Sequence, residues 1–327
     1  MKTMHRITKL LACLAISNAV NSAAAEANFP TKPVKLVVSY GAGGSLDVMA
    51  RLLGTELAKV LGQPVVVENV AGASGTIGVK KVLGSAPDGY TLLLGITSEV
   101  ALAPSTLPTA KYTSTDLQAV ASVGTSGLVL VGNPKLKATN LAELIALSRS
   151  QPSGLHYGTS GAGSLQHLAI ETLKQQADAH FVFVPYKSAA QVTTDVIGGT
   201  IDLAIVGLPA VQPFIANGKL KGFSVMSRQR DIGNQNIPSA SELPALKDFN
   251  FTLWTGLFAP KGTPPEIVEK LHASTLQALE QPTLRQAYGE MGVAISPAMS
   301  SAEFSAYVSA EENNLKSAFD KSGIKIE

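Results

Sequence analysis

Cysteine is almost missing from this chain of 327 residues: the only one, Cys13, lies in a leading segment that reads as removable. The remainder is therefore expected to hold no disulfide and to do no thiol chemistry. Charged residues are sparse at 15%, and with 45% hydrophobic residues the composition is globular, not disordered. No apolar run after residue 25 approaches the roughly 18 residues a membrane-spanning helix needs. Histidine is scarce too: beyond the leader only His156, His167, His180 and His272 occur, none in a spacing that pairs metal ligands. There is no G-K-[ST] after a glycine loop, and Gly158-Thr159-Ser160-Gly161-Ala162 fails the nucleophile elbow at its fifth position. No acid/base pair or Ser/His/Asp set is assignable from spacing, so neither a catalytic centre, nor a metal, nor a cofactor is expected.

The leader itself is informative. Residues 1–25 carry Lys2, Arg6 and Lys9 with no acid, then an apolar run over 10–20, then Ala23-Ala24-Ala25. Those are the three parts of a secretory signal, expected to be cut after Ala25, so the product is expected to be exported. Leu10-Leu11-Ala12-Cys13 faintly resembles a lipobox, but most of the apolar run follows the cysteine where a lipoprotein signal has it before. Losing the three basic residues leaves 23 Lys and Arg against 24 Asp and Glu, and no basic footprint for nucleic acid.

What is present is organised around residues 34–57. A β-branched run over 34–39 is stopped by Tyr40-Gly41-Ala42-Gly43-Gly44, after which Leu46, Met49, Leu53 and Leu57 recur at helical spacing, with Ser45 expected to cap the first turn. Strand, glycine loop and helix start form a corner where backbone N–H groups and the helix dipole favour an anion. Further strands are expected at 64–69, 90–96, 128–131, 154–157, 181–184, 201–206 and 251–259, alternating with helices, which predicts a mostly parallel sheet. The first corner is built again at Gly158-Thr159-Ser160-Gly161-Ala162-Gly163-Ser164, before a helix. Two α/β units with matched corners suggest a ligand cleft between them.

Each feature also has a plainer reading. Either corner alone could be a tight turn. Asp47 either complements the start of its helix or fixes water or a polar ligand group; close to a bare anion it needs something between. His167 could reach the cleft or simply pack. Lys187 could meet an anion or form a hinge salt bridge, and Trp254 could be core or a ligand platform.

The residues also resemble a known family. Phe29-Pro30-Thr31-Lys32-Pro33, Gly43-Gly44-Ser45-Leu46-Asp47, Leu61-Gly62-Gln63-Pro64, Ala86-Pro87-Asp88-Gly89-Tyr90, Tyr157-Gly158-Thr159-Ser160-Gly161, Val184-Pro185-Tyr186-Lys187 and Gly262-Thr263-Pro264-Pro265-Glu266 closely resemble the tripartite tricarboxylate transporter substrate-binding proteins, or Bug receptors. The match runs in order along essentially all of the chain after the leader. The resemblance implies a type II periplasmic binding protein fold, two α/β domains closing on a ligand: signal 1–25, first domain 26–123 and 227–327, second domain 124–226. It implies a carboxylate held partly through waters by Tyr40, Gly43, Gly44, Ser45 and Asp47 on one side and Thr159, Ser160, Gly163 and Ser164 on the other. Tyr186, Ser188 and Ala189 would line a third wall. The implied partners are a small organic carboxylate and the membrane subunits of a tripartite transporter, with the receptor a monomer.

Two departures from the family pattern bear on the ligand. Ser188 stands where glycine is usual, and Val206-Gly207-Leu208 replaces a more polar segment. Without those polar groups an amino acid's ammonium lacks an acceptor, which leans toward a plain di- or tricarboxylate or an aromatic carboxylate. A sensory receptor for a membrane signalling protein would need the same trap. An exported enzyme acting on a carboxylate or phosphate ester is the reading from another class.

Overall fold

The computed structural model describes residues 29–232 and 234–324, so the expected export signal lies outside the described residues. The chain runs β1 (Val34–Val38), α1 (Ser45–Leu61), β2 (Val65–Asn69), α2 (Thr76–Leu83) and β3 (Thr91–Ile96), then a π-helical turn (Ser98–Leu102) and α3 (Ala103–Thr106). There follow β4 (Leu117–Gly132), α4 (Leu141–Ser150), β5 (Leu155–Thr159), α5 (Leu165–Ala177), β6 (Phe181–Pro185), α6 (Ala189–Gly198), β7 (Leu203–Gly207), α7 (Leu208–Ala216) and β8 (Lys221–Val225). Last come β9 (Thr252–Pro260), α8 (Pro265–Leu279), α9 (Pro282–Glu290), β10 (Val293–Ile295) and α10 (Ser301–Ser322).

The β-branched run of β1 is buried at Val34, Leu36, Val37 and Val38 because it pairs on both edges, with β2 and with β3, in parallel. β5 pairs in parallel with β6 and β7 in the same way. The expectation of a mostly parallel sheet needs correction outside these units: β4, β8, β9 and β10 all pair antiparallel. The whole order is β2-β1-β3-β9-β4-β7-β5-β6.

β4 joins the two parallel units. Its first part, from Leu117 to Gly127, pairs with β9, and from Leu128 to Gly132 it pairs with β7 and β8. The register slips twice along the first part, between Ala119 and Ala121 and between Ser122 and Gly124, which bends the strand as it crosses.

α10 closes the back of the crossing strands. Phe304 packs against Trp254 and Phe258 at ring-centroid distances of 6.0 and 5.4 Å. Gly256 permits this approach, since a Cβ there would lie 2.2 Å from the Phe304 ring. Trp254 is thus core and not a ligand platform; rings of this size contribute about 1.5–3 kcal/mol each by burial. Among the described residues no helix is long and apolar enough to cross a membrane.

Candidate functional site

Parallel strands bring their carboxyl ends to one edge, and here the loops after β1, β2, β5 and β6 meet between the two units. At the first corner the helix N-cap is Gly44, with no side-chain cap. The expectation that Ser45 caps this helix is corrected: Ser45 is the first helical residue, and its Oγ faces Gly207 across the cleft, 2.7 Å from where a Cβ there would sit.

Asp47 does the tethering. Its Oδ2 accepts from the Gly43 N–H at 2.9 Å and from Arg51 Nε at 3.1 Å, and its Oδ1 accepts from Arg51 Nη2 at 2.9 Å. Arg51 Nη2 also donates to Asn69 Oδ1, and Asn69 Nδ2 donates to the Tyr40 carbonyl, so the loop is held at both ends. Burial opposes ionisation of Asp47, but the Arg51 guanidinium and the Gly43 N–H outweigh it and hold the carboxyl below its ordinary value. The charge that would repel an anion is therefore compensated locally by Arg51. Sequence reasoning passed over Arg51 and Asn69; the signal was Arg51 four residues after Asp47 on the same helix face.

The second corner repeats this spacing with different chemistry. The Gly163 N–H donates to His167 Nδ1 at 3.1 Å, four residues on, as Gly43 does to Asp47. Nδ1 as acceptor makes this imidazole neutral, with its proton on Nε2. Burial pushes the His167 pKa down, Glu171 opposes and Lys174 adds to the fall. Its ring stacks on Phe183 at 4.2 Å, so His167 packs and holds the loop instead of facing the cleft. Stability tied to this neutral form is lost as pH falls through the ordinary histidine value of 6.5. His167→Phe preserves the stack but strands the buried Gly163 N–H, and should cost about 1–3 kcal/mol in urea unfolding at pH 7.

The remaining loop hydroxyls are mostly engaged. Thr159 Oγ1 donates to the Gly161 carbonyl and accepts the Gly161 N–H. Ser164 caps α5 by accepting from the His167 N–H, and its Oγ donates to the Gly161 carbonyl. Ser188 caps α6 by accepting from the Gln191 N–H.

A cavity of about 470 Å³ opens where the loops meet. Of the residues expected at the site, Tyr40, Ser160 and Tyr186 line it. Tyr40 Oη donates to the Ser74 carbonyl and Tyr186 Oη to Asp195, whereas the Ser160 hydroxyl has no partner among the described residues. Gly43, Gly44, Ser45, Asp47, Thr159, Gly163, Ser164, Ser188 and Ala189 are not among its lining residues. Ser188 and Ala190 face the first corner directly: Cβ atoms on Gly41 and Gly43 would meet their side chains at 3.4 and 3.8 Å.

Sequence reasoning did not place Ala71-Gly72-Ala73-Ser74-Gly75, Leu107, Thr109 or Pro185 in the wall, and left Lys187 between meeting an anion and a hinge salt bridge, yet all of them line it. The available signal was a third small-residue loop following a strand of the same parallel unit. Among the described residues Lys187 is the only charged one in the lining, and it forms no salt bridge with any of them. The hinge salt bridge considered for it is absent among the described residues.

Residues 49–324 match the family described as tripartite tricarboxylate transporter family receptor. The chain belongs to that family. It is 36% identical over 291 residues to the protein BugT of Bordetella pertussis, covering 88% of this chain and 89% of BugT. Solved structures agree. A Rhodopseudomonas palustris protein, Rpa4515, with adipate superposes with a TM-score of 0.86 at 29% identity, covering 90% of this chain and 99% of that one. MatC from the same organism, with bound malate, gives 0.82 at 28% identity over 89% of this chain and 99% of that one. The family is one of periplasmic solute-binding receptors, and the α/β architecture with a cleft between two units is theirs.

Proposed function

We propose that this receptor is exported, loses its signal near Ala25, and works in the periplasm as a monomer. It captures a small organic carboxylate in the cavity and delivers it to the membrane subunits of a tripartite tricarboxylate-type transporter, doing no chemistry on it. The observation that carries the reading is the charge of the cavity wall: among the described residues no carboxylate lines it, its one charged side chain is Lys187, and the loop 160–162 that leads into α5 forms part of it. The Ser160 hydroxyl, without a partner among the described residues, adds a donor, and Tyr40, Leu107 and Tyr186 supply apolar walls for a carbon chain. Similar proteins solved with malate and adipate support a plain dicarboxylate.

Thermal denaturation of the chain without residues 1–25, against mono-, di- and tricarboxylates, aromatic acids, amino acids and sugars, tests this. A ligand at 100 times its Kd adds about 2.7 kcal/mol of stability. A carboxylate should stabilise and Ser160→Ala should weaken it; stabilisation by sugars or amino acids alone would overturn the reading. Lys187→Ala should weaken a dicarboxylate a few-fold, by an amount that shrinks with added salt, and leave a monocarboxylate of equal length little changed.

A further inference from the structure

The loop after β2 is unusual in its backbone. Gly72, Ala73, Ser74 and Gly75 have φ of 133°, 46°, 51° and 93°, four left-handed residues in succession, two of them with side chains. A residue with a Cβ reaches this region at a cost of about 1–2 kcal/mol, so the surroundings must hold it there. Behind the loop, Gly75 is seated so closely that a Cβ on it would lie 2.7 Å from Glu99 Cβ, and Tyr40 Oη donates to the Ser74 carbonyl at 3.3 Å. In front, Ser74 Oγ donates to the Ala162 carbonyl at 2.6 Å.

That last bond joins the two units. Ser74 follows β2 and Ala162 follows β5, and both line the cavity. The fit is tight on both sides of the bond: a Cβ on Gly161 would lie 2.6 Å from Ser74 Oγ. When the units part, the Ser74 hydroxyl returns to water and the Ala162 carbonyl loses it.

We infer that Ser74 is the latch of the cleft, a positioning residue whose bond to the Ala162 carbonyl holds the two units closed over the cavity and sets how long a ligand stays. The inference rests on the capture reading above. The left-handed loop aims the hydroxyl across the gap before closure, so closing orders little else. Ser74 need not touch the ligand for this role. It acts through Ala162 on the loop that includes Ser160.

Ser74→Ala removes the hydroxyl and leaves Cβ and the backbone demand unchanged. Small-angle scattering of the ligand-free protein should then give a larger radius of gyration than wild type. Stopped-flow release of adipate or malate should quicken about three- to tenfold with the association rate unchanged. Gly161→Ala, which wedges a methyl group against Ser74, should expand the ligand-free protein as well. A lower melting temperature for Ser74→Ala with unchanged scattering and unchanged release would make the bond merely structural and overturn the inference. If wild type binds no carboxylate at all, the capture reading fails by itself, and the scattering comparison still decides the latch.

Discussion

Stability should fall as pH rises from about 6.5 to about 9, and Glu99→Gln should remove most of that fall. Glu99 sits fully buried on the π-helical turn, where Oε1 accepts the Ile96 N–H at 2.9 Å and Oε2 has no hydrogen-bond partner among the described residues. Burial pushes its carboxyl up to about 8 from an ordinary 4.5, against the smaller pull of the Ile96 N–H. The unfolded chain releases this proton near 4.5 and the folded chain only near 8, so across that window the folded state binds more protons. Stability is then lost as pH climbs through the window and levels off above it, by an amount on the order of a few kcal/mol. The Tyr40 and Tyr112 hydroxyls packed near Glu99 are pushed up by burial and stay neutral throughout. Starting above pH 6.5 separates this slope from that of His167, which runs the other way. Urea unfolding at pH 6.5, 8 and 9 is the check, and an equal slope in wild type and Glu99→Gln would refute it.

Asp47→Ala should lower carboxylate affinity by about 10- to 100-fold while the chain stays folded. Without Asp47 the Gly43 N–H and Arg51 lose their common acceptor, and residues 41–43, with Gly43 at φ 81°, are released from one end. Binding must then order that backbone again, at about 1–2 kcal/mol per residue, and each 1.4 kcal/mol is tenfold in Kd. Asp47→Asn keeps an acceptor for Gly43 but forfeits the charge on Arg51, so its loss should be smaller. Titration calorimetry with adipate or malate reads the difference; affinities equal to wild type in both variants would mean that the loop needs no tether.

The strands of the two parallel units were legible because β-branched runs such as 34–38 end at glycine, a local signal. The antiparallel pairing of β4 with β9 was not, since it joins segments more than 100 residues apart and no local pattern records it. The corners were legible as glycine loops before amphipathic helices. The cap was misread at Ser45 because a serine at a helix start usually caps, yet here Asp47 takes over the loop and Gly44 serves as N-cap. His167 and Asp47 hold their loops through the same four-residue spacing, but an imidazole and a carboxylate look alike only as acceptors, which spacing cannot reveal. The Ser74 loop escaped because alanine and serine seldom adopt left-handed φ, so sequence preference pointed away from the conformation they take.

The continuity of β4 has a consequence for how the molecule can be taken apart. One strand joins both parallel units into one sheet, so neither unit owns a complete set of strands. A fragment ending before β4 would lack β9 as well and leave β3 with a bare edge, and one beginning after it would leave β7, β8 and β9 without the strand they all pair with. The two units thus share one strand, and neither is complete when expressed alone.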